Sequence, residues 1–218
     1  ECENLELKIQ IHDYLQEHSF FPPYRPSHQL VASTYDVQKK LVTSNYCSHT
    51  CTVEVAQAIF QTGKLMSAVK VFGKSGAELV TDSRNAASDP ADYFDYIMFG
   101  WSNTTSGYRL AMERLLGRAP SEEELQEKFI PGVSFHFLYE ELIQAPGYIF
   151  DGYHVAKIRD SLDLDTFLHL CVIPSKDKAC FEGLISSQLQ DRVIYLDYEG
   201  EGLQAWNTKV NQVLHGKD

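Results

Sequence analysis

The chain has 218 residues, 44% hydrophobic and 22% charged, a balance that supports a compact core and excludes a disordered tail. Its formal charge of −11, without any basic block, excludes an overall field that attracts polyanions, so a nucleic-acid role requires a local basic groove. No run approaches the roughly 18 apolar residues of a membrane span, and the opening Glu1 to Gln10 is charged rather than basic-then-apolar, so the expectation is a cytoplasmic protein with no membrane attachment.

No internal repeat, low-complexity run or Pro/Gly/Ser linker divides the composition, so residues 1–218 read as one domain, with 1–44 as a helical extension and 45–218 as the core. Apolar Leu5, Ile9, Tyr14 and Leu15 recur among charges up to Phe20-Phe21-Pro22-Pro23, which predicts an N-terminal helix outside the main sheet. The segment Gln29 to Ser44 satisfies a helical period only in part. After Thr50 or Thr52 as N-cap, Val55, Ala56, Ile59 and Phe60 form one helix face, and Gly63 stands at the C′ position. Tyr93, Phe94, Tyr96, Ile97, Met98 and Phe99 are apolar on both faces, and periodicity does not choose between helix and strand there. Leu110 to Leu116 and Ser121 to Phe129 read as helices, the second with acids in its first turn. The strand-like runs come afterwards: Gly132 to Leu138, Tyr148 to Asp151, Val155 to Ile158, Leu168 to Ile173 and Arg192 to Leu196. Helices early and strands late, without β-α alternation, predict an α+β fold, and neither Gly-x-Gly-x-x-Gly nor a P-loop occurs.

The junction Ser48-His49-Thr50, between a strand and the following helix cap, suits a phosphate, an amide or a ribose hydroxyl. Cys2, Cys47, Cys51, Cys171 and Cys180 are an odd set, which argues for reduced thiols over a disulfide framework. Cys47-x-His49-x-Cys51 lacks the second ligand cluster of a zinc site, so no metal is expected. Cys47 with His154 or His136 is a nucleophilic pair in residue type alone. Arg84, in a small-residue loop before the aromatic block, has the fork to clamp a diphosphate. Tyr93, Phe94, Tyr96, Phe99 and Trp101 supply rings to stack a planar heterocycle, and His154 beside Gly152 is a possible acid, base or donor.

In their order these features resemble the DarT-like ADP-ribosyltransferases, which use NAD to modify a base in single-stranded DNA. Ser48-His49-Thr50, the helix through Phe60 and Gly63-Lys64-Leu65 look similar to the family's His-x-Thr strand, helix and Gly-x-Leu turn. Arg84 precedes Asp95 to Phe99 as the family's arginine precedes an Asp-Tyr-Val-Pro-Phe block. The resemblance implies a mixed or antiparallel ADP-ribosyltransferase-like sheet core with helices from the N-terminal half, and NAD as a substrate. It implies Ser48, His49 and Thr50 at the nicotinamide ribose and amide, Arg84 on the diphosphate, and Tyr93 and Tyr96 lining the pocket. It further implies single-stranded nucleic acid as acceptor and an antitoxin protein as partner. The chain departs from the family at one place: His154 stands where the family has its catalytic glutamate, just before Val155 to Ile158, leaving Asp151 or Glu141 as alternative acids. A catalytically impaired nucleotide-binding module and an acidic protein-interaction domain are the competing expectations.

Overall fold

The computed structural model describes residues 4, 7, 10, 11, 13, 14, 25–31, 44–82, 89–152 and 154–216. Its centre is a seven-stranded sheet in the order β5-β6-β3-β1-β4-β8-β9, and a separate two-stranded sheet pairs β2 with β7. The strands are β1 (Tyr46–Cys51), β2 (Lys64–Met66), β3 (Tyr96–Trp101), β4 (Val133–Leu138), β5 (Tyr148–Ile149), β6 (Ala156–Arg159), β7 (Ser161–Asp163), β8 (Leu170–Pro174) and β9 (Val193–Leu196). Every pairing is antiparallel except β8 with β9. The α+β class and the mostly antiparallel sheet agree with the sequence reading.

Because successive strand residues point to opposite faces, the register sorts the side chains into two layers. One face carries Cys47, Cys51, Phe99, Phe135 and Cys171, all buried, and is covered by α1 (Val53–Thr62) through Ala56, Ile59 and Phe60. The other face carries Tyr46, Leu170 and Val172 under α4 (Ser106–Leu116, after the short α2, Ala68–Phe72, and α3, Gly76–Val80). That second core is completed by α5 (Glu122–Gln126) and the C-terminal helix. Two short helices, α6 (Tyr139–Leu142) and α7 (Leu164–Phe167), follow β4 and β7, and α8 (Gly202–His215) ends the described fold. Trp206 of α8 is fully buried, worth about 2–3 kcal/mol for its transfer out of water.

Two open alternatives are decided and two expectations are corrected. The helix cap is Thr52, and Thr50 is a strand residue, because the β1–β4 ladder runs through Thr50↔Ser134 to Cys51↔Val133 before the chain can turn. The aromatic block divides: a 3₁₀ turn covers Ala91–Asp95, and β3, buried at alternate residues, begins at Tyr96. Helices do not come chiefly from the N-terminal half, since α8, with Leu203, Trp206, Val210 and Leu214 at helical spacing, is the longest helix described. Strands are not confined to the later chain either, because β1 and β3 sit at the middle of the sheet.

The helix expected over Leu5 to His18 is present where it is described, at residues 7, 10, 11, 13 and 14, and residues 28–31 are also helical. Residues 25–28 are tied to α6 and its C-cap: Arg25 Nε donates to the Ile143 carbonyl at 2.7 Å, Tyr139 Oη donates to the Pro26 carbonyl at 3.0 Å, and His28 meets Glu140 at 2.9 Å. Among the described residues no helix is long and apolar enough to cross a membrane.

Candidate functional site

β1, the capped helix α1 and the turn at Gly63 form as the sequence predicts, with Gly63 in the left-handed region at φ 66° closing α1. The strand, however, divides the Ser48-His49-Thr50 trio between faces. His49 lies opposite Phe135 and shares its face with Phe99, whose ring it meets edge-on at 6.2 Å, while its Nδ1 reaches the Met98 carbonyl at 3.4 Å. Burial first, and then the charge of Arg114, bring its pKa down to about 4, so the ring is neutral at pH 7. A neutral imidazole suits an amide or a hydroxyl better than an anion.

Ser48 and Thr50 face the other way, toward α4. Thr50 is buried there against Gly107, where a Cβ would stand 2.7 Å from Thr50 Oγ1. Gly107→Ala is therefore expected to push α4 off the sheet and to cost about 1–3 kcal/mol in urea unfolding. Thr50→Ser should leave that cost largely in place, because the hydroxyl itself is the nearest atom.

A set of polar and aromatic groups forms where β3 and β6 meet the segment after β5. Asp151 accepts the His154 backbone N–H on Oδ1 at 2.8 Å and holds His154 Nδ1 on Oδ2 at 2.8 Å. The same Oδ2 takes Lys157 Nζ at 3.2 Å. Lys157 belongs to β6, opposite Met98, and is buried; its ammonium sits over the rings of Tyr96 at 4.2 Å and Tyr93 at 5.2 Å. Tyr93 also packs edge-on against the His154 ring at 5.3 Å. A buried ammonium requires such compensation, and here one carboxylate and two π faces provide it. A carboxylate oxygen only accepts, so His154 Nδ1 is the protonated nitrogen in this contact, which fixes the orientation of the ring.

Tyr93, Tyr96 and His154 are thus gathered into one cluster about Lys157 and Asp151. Lys157 and the double role of Asp151 were missed. The available signal was a lysine in the middle of the apolar run Val155 to Ile158. Glu141, the other acid considered, is exposed on α6. Arg84 lies outside the described residues.

Cys47 and His136 do not form a nucleophilic pair. Cys47 pairs with Phe137 and Ser48 with His136, so the two side chains leave the sheet on opposite faces. Burial raises the thiols of Cys47 and Cys171 and pushes that of Cys51 up to about 12, leaving all three unreactive. His136 instead belongs to a buried chain: Tyr108 Oη donates to Ser134 Oγ at 2.8 Å, Ser134 Oγ meets His136 Nε2 at 2.8 Å, and His136 Nδ1 meets Ser102 Oγ at 2.9 Å. Among the described residues no group of three or more His, Cys, Asp or Glu side chains is placed to hold a metal ion.

Compared with known proteins, the chain matches no family model, no curated protein and no solved structure.

Proposed function

We propose that the chain is an NAD-dependent ADP-ribosyltransferase-like protein whose acceptor is a base of single-stranded nucleic acid, as in DarT toxins. One observation carries the reading. A row across the sheet joins His49 on β1 to Phe99 on β3, and Phe99 pairs with Ala156 on β6, two residues after His154. Three of the segments that resemble the family, those of His49, Phe99 and His154, therefore lie on or next to three adjacent strands, about 10 Å from first to third.

In this reading neutral His49 hydrogen-bonds the nicotinamide ribose or amide, with Ser48 and Thr50 holding β1 in place through the ladders on either side and against α4. Arg84 neutralises the diphosphate. Tyr93 and Tyr96 line the pocket. His154, held by Asp151, takes the acceptor's proton as the ribosyl bond to nicotinamide breaks and the bond to the acceptor forms. Lys157 is committed to Asp151 and holds the cluster together.

A second reading, an NAD-binding module without turnover, is favoured by one fact: a histidine rather than a glutamate precedes β6. Incubation with NAD and single-stranded DNA, RNA or protein, following nicotinamide release and thermal unfolding, separates the readings. NAD at a hundred times its Kd should stabilise the fold by about 2.7 kcal/mol. Arg84→Ala and His154→Ala should each lower nicotinamide release at least about a hundredfold. A thermal shift with no release from the wild type selects the second reading, and no shift with no release sinks both.

A further inference from the structure

Helix α4 packs against β1 with its first turn bare. The amides of Ser106, Gly107 and Tyr108 have no carbonyl one turn back to reach, since the first bond of the helix runs from the Arg109 N–H to the Thr105 carbonyl. A side chain at the N-cap ordinarily accepts from such amides, and an acid in the first turn offsets the positive end of the helix dipole. α5 has both, in Ser121 and in Glu122, Glu123 and Glu124. α4 has neither: Thr105, at φ −90° and ψ −4°, makes no capping bond, and no acid stands in the turn. Thr104, one residue earlier, gives its hydroxyl proton to the Trp101 carbonyl at 2.8 Å.

An uncapped helix start names no ligand by itself, but Thr50 adds an independent sign of one. It points from β1 at this turn, its Oγ1 standing 2.7 Å from where a Cβ on Gly107 would be. Thr50 is 7% exposed, and among the described residues its hydroxyl has no hydrogen-bond partner. A hydroxyl buried in that way is destabilising until an acceptor occupies the site. Ser48, two residues earlier on the same face of the strand, is half-buried, and the residue opposite it in register is Gly100, which brings no side chain. Hydroxyls and bare backbone therefore make up the surface between β1 and the start of α4.

We propose that the start of α4 is an oxyanion site that takes a phosphate group. The amides of Ser106, Gly107 and Tyr108 and the hydroxyls of Ser48 and Thr50 are its donors, with the positive end of an 11-residue helix behind them. A carboxylate has two oxygens to offer this set, whereas a phosphate has three or four, so phosphate uses the donors more fully. Recognition by neutral donors also suits a chain with a formal charge of −11 and no basic block. Ser106 is exposed, which leaves room for one phosphate oxygen to carry an ester toward solvent. Ser48 and Thr50 face away from His49, so this site is separate from the nicotinamide subsite and does not rest on the NAD reading.

The test titrates the full chain with inorganic phosphate, in the absence of NAD, and follows backbone amide resonances by NMR. The amides of residues 106–108 should shift saturably, and chloride at matched ionic strength should not reproduce the shift. Thr50→Val, which keeps the shape of the side chain and removes its hydroxyl, should weaken binding about tenfold. Ser106→Asp places a carboxylate at an exposed position in the first turn, where it favours the helix dipole; it should keep or raise the melting temperature and abolish phosphate binding. Glycerol 3-phosphate in parallel identifies the source, since tighter binding than phosphate assigns the site to a phosphate ester and weaker binding to the free ion. No saturable shift at residues 106–108, the same shift with chloride, or undiminished affinity in both variants would each overturn the proposal.

Discussion

Asp151→Ala is expected to destabilise the fold by about 2–4 kcal/mol, more than any other single polar substitution in the candidate site. Removing the carboxylate leaves the Lys157 ammonium buried over Tyr93 and Tyr96 without its counter-charge. Breaking a buried pair from one side costs about 3–5 kcal/mol, and the two rings return part of that, about 1–2 kcal/mol. Lys157→Met alone should cost less, because Asp151 keeps the His154 amide and ring as donors. Combining Asp151→Ala with Lys157→Met should recover at least half of the loss, since the stranded charge is gone and its stem is replaced by an apolar one of similar length. Urea unfolding of the four proteins measures this as a coupling energy. A double variant as unstable as the sum of the singles would mean that the pair contributes nothing.

Acid should weaken the fold between pH 6.5 and about 4 through two imidazoles, His136 buried and His49 half-buried. His136 is held near a pKa of about 3 by burial and the neighbouring His169, and His49 near about 4, against 6.5 for either ring in an unfolded chain. As pH falls below 6.5 the unfolded state takes up protons that the folded state refuses, so stability is complete above 6.5 and is lost until each folded pKa is reached. Between pH 6.5 and 4.5 this amounts to about 2–3 kcal/mol for each ring. Denaturant midpoints at the two pH values, for the wild type and His136→Gln, check the point. Glutamine retains hydrogen bonding but takes no proton, so its stability should fall by about 2–3 kcal/mol less over the same interval. An identical fall in both proteins would show that His136 is not the source.

Much of this architecture was legible in the residues. α1 announced itself by Ala56, Ile59 and Phe60 on one face and by Gly63 after it, and α5 by the acids following Ser121, where Ser121 and Glu124 form a capping box. Local rules served where local energetics decide the outcome. They left alternatives open where pairing partners decide it. Thr50 is an acceptable helix cap by residue type, and only its place in the β1–β4 ladder makes it a strand residue. The aromatic run was ambiguous for the same reason, because β3 is defined by its neighbours β1 and β6. At the candidate site His154 could be named from its setting, but its partners could not. Asp151 reaches it through a turn, and Lys157 looks in sequence like a solvent-facing residue of an exposed strand. The buried Tyr108–Ser134–His136–Ser102 chain was hidden likewise, although Ser134 and His136 interrupt an otherwise apolar strand.

The central position of β1 also dictates the order in which the molecule can assemble. Its neighbours come from far downstream, Ser48 pairing with Gly100 on one side and His136 on the other. Both closures must be made across long loops, whose entropy is lost before the ladders return it, so folding belongs with the slow, high-contact-order class of milliseconds to seconds. On a ribosome synthesising about 5–20 residues per second, β1 waits several seconds for β4 to be made. Throughout that interval the edge of Tyr46–Cys51 that β4 will cover has no partner, which leaves this segment in need of protection during synthesis.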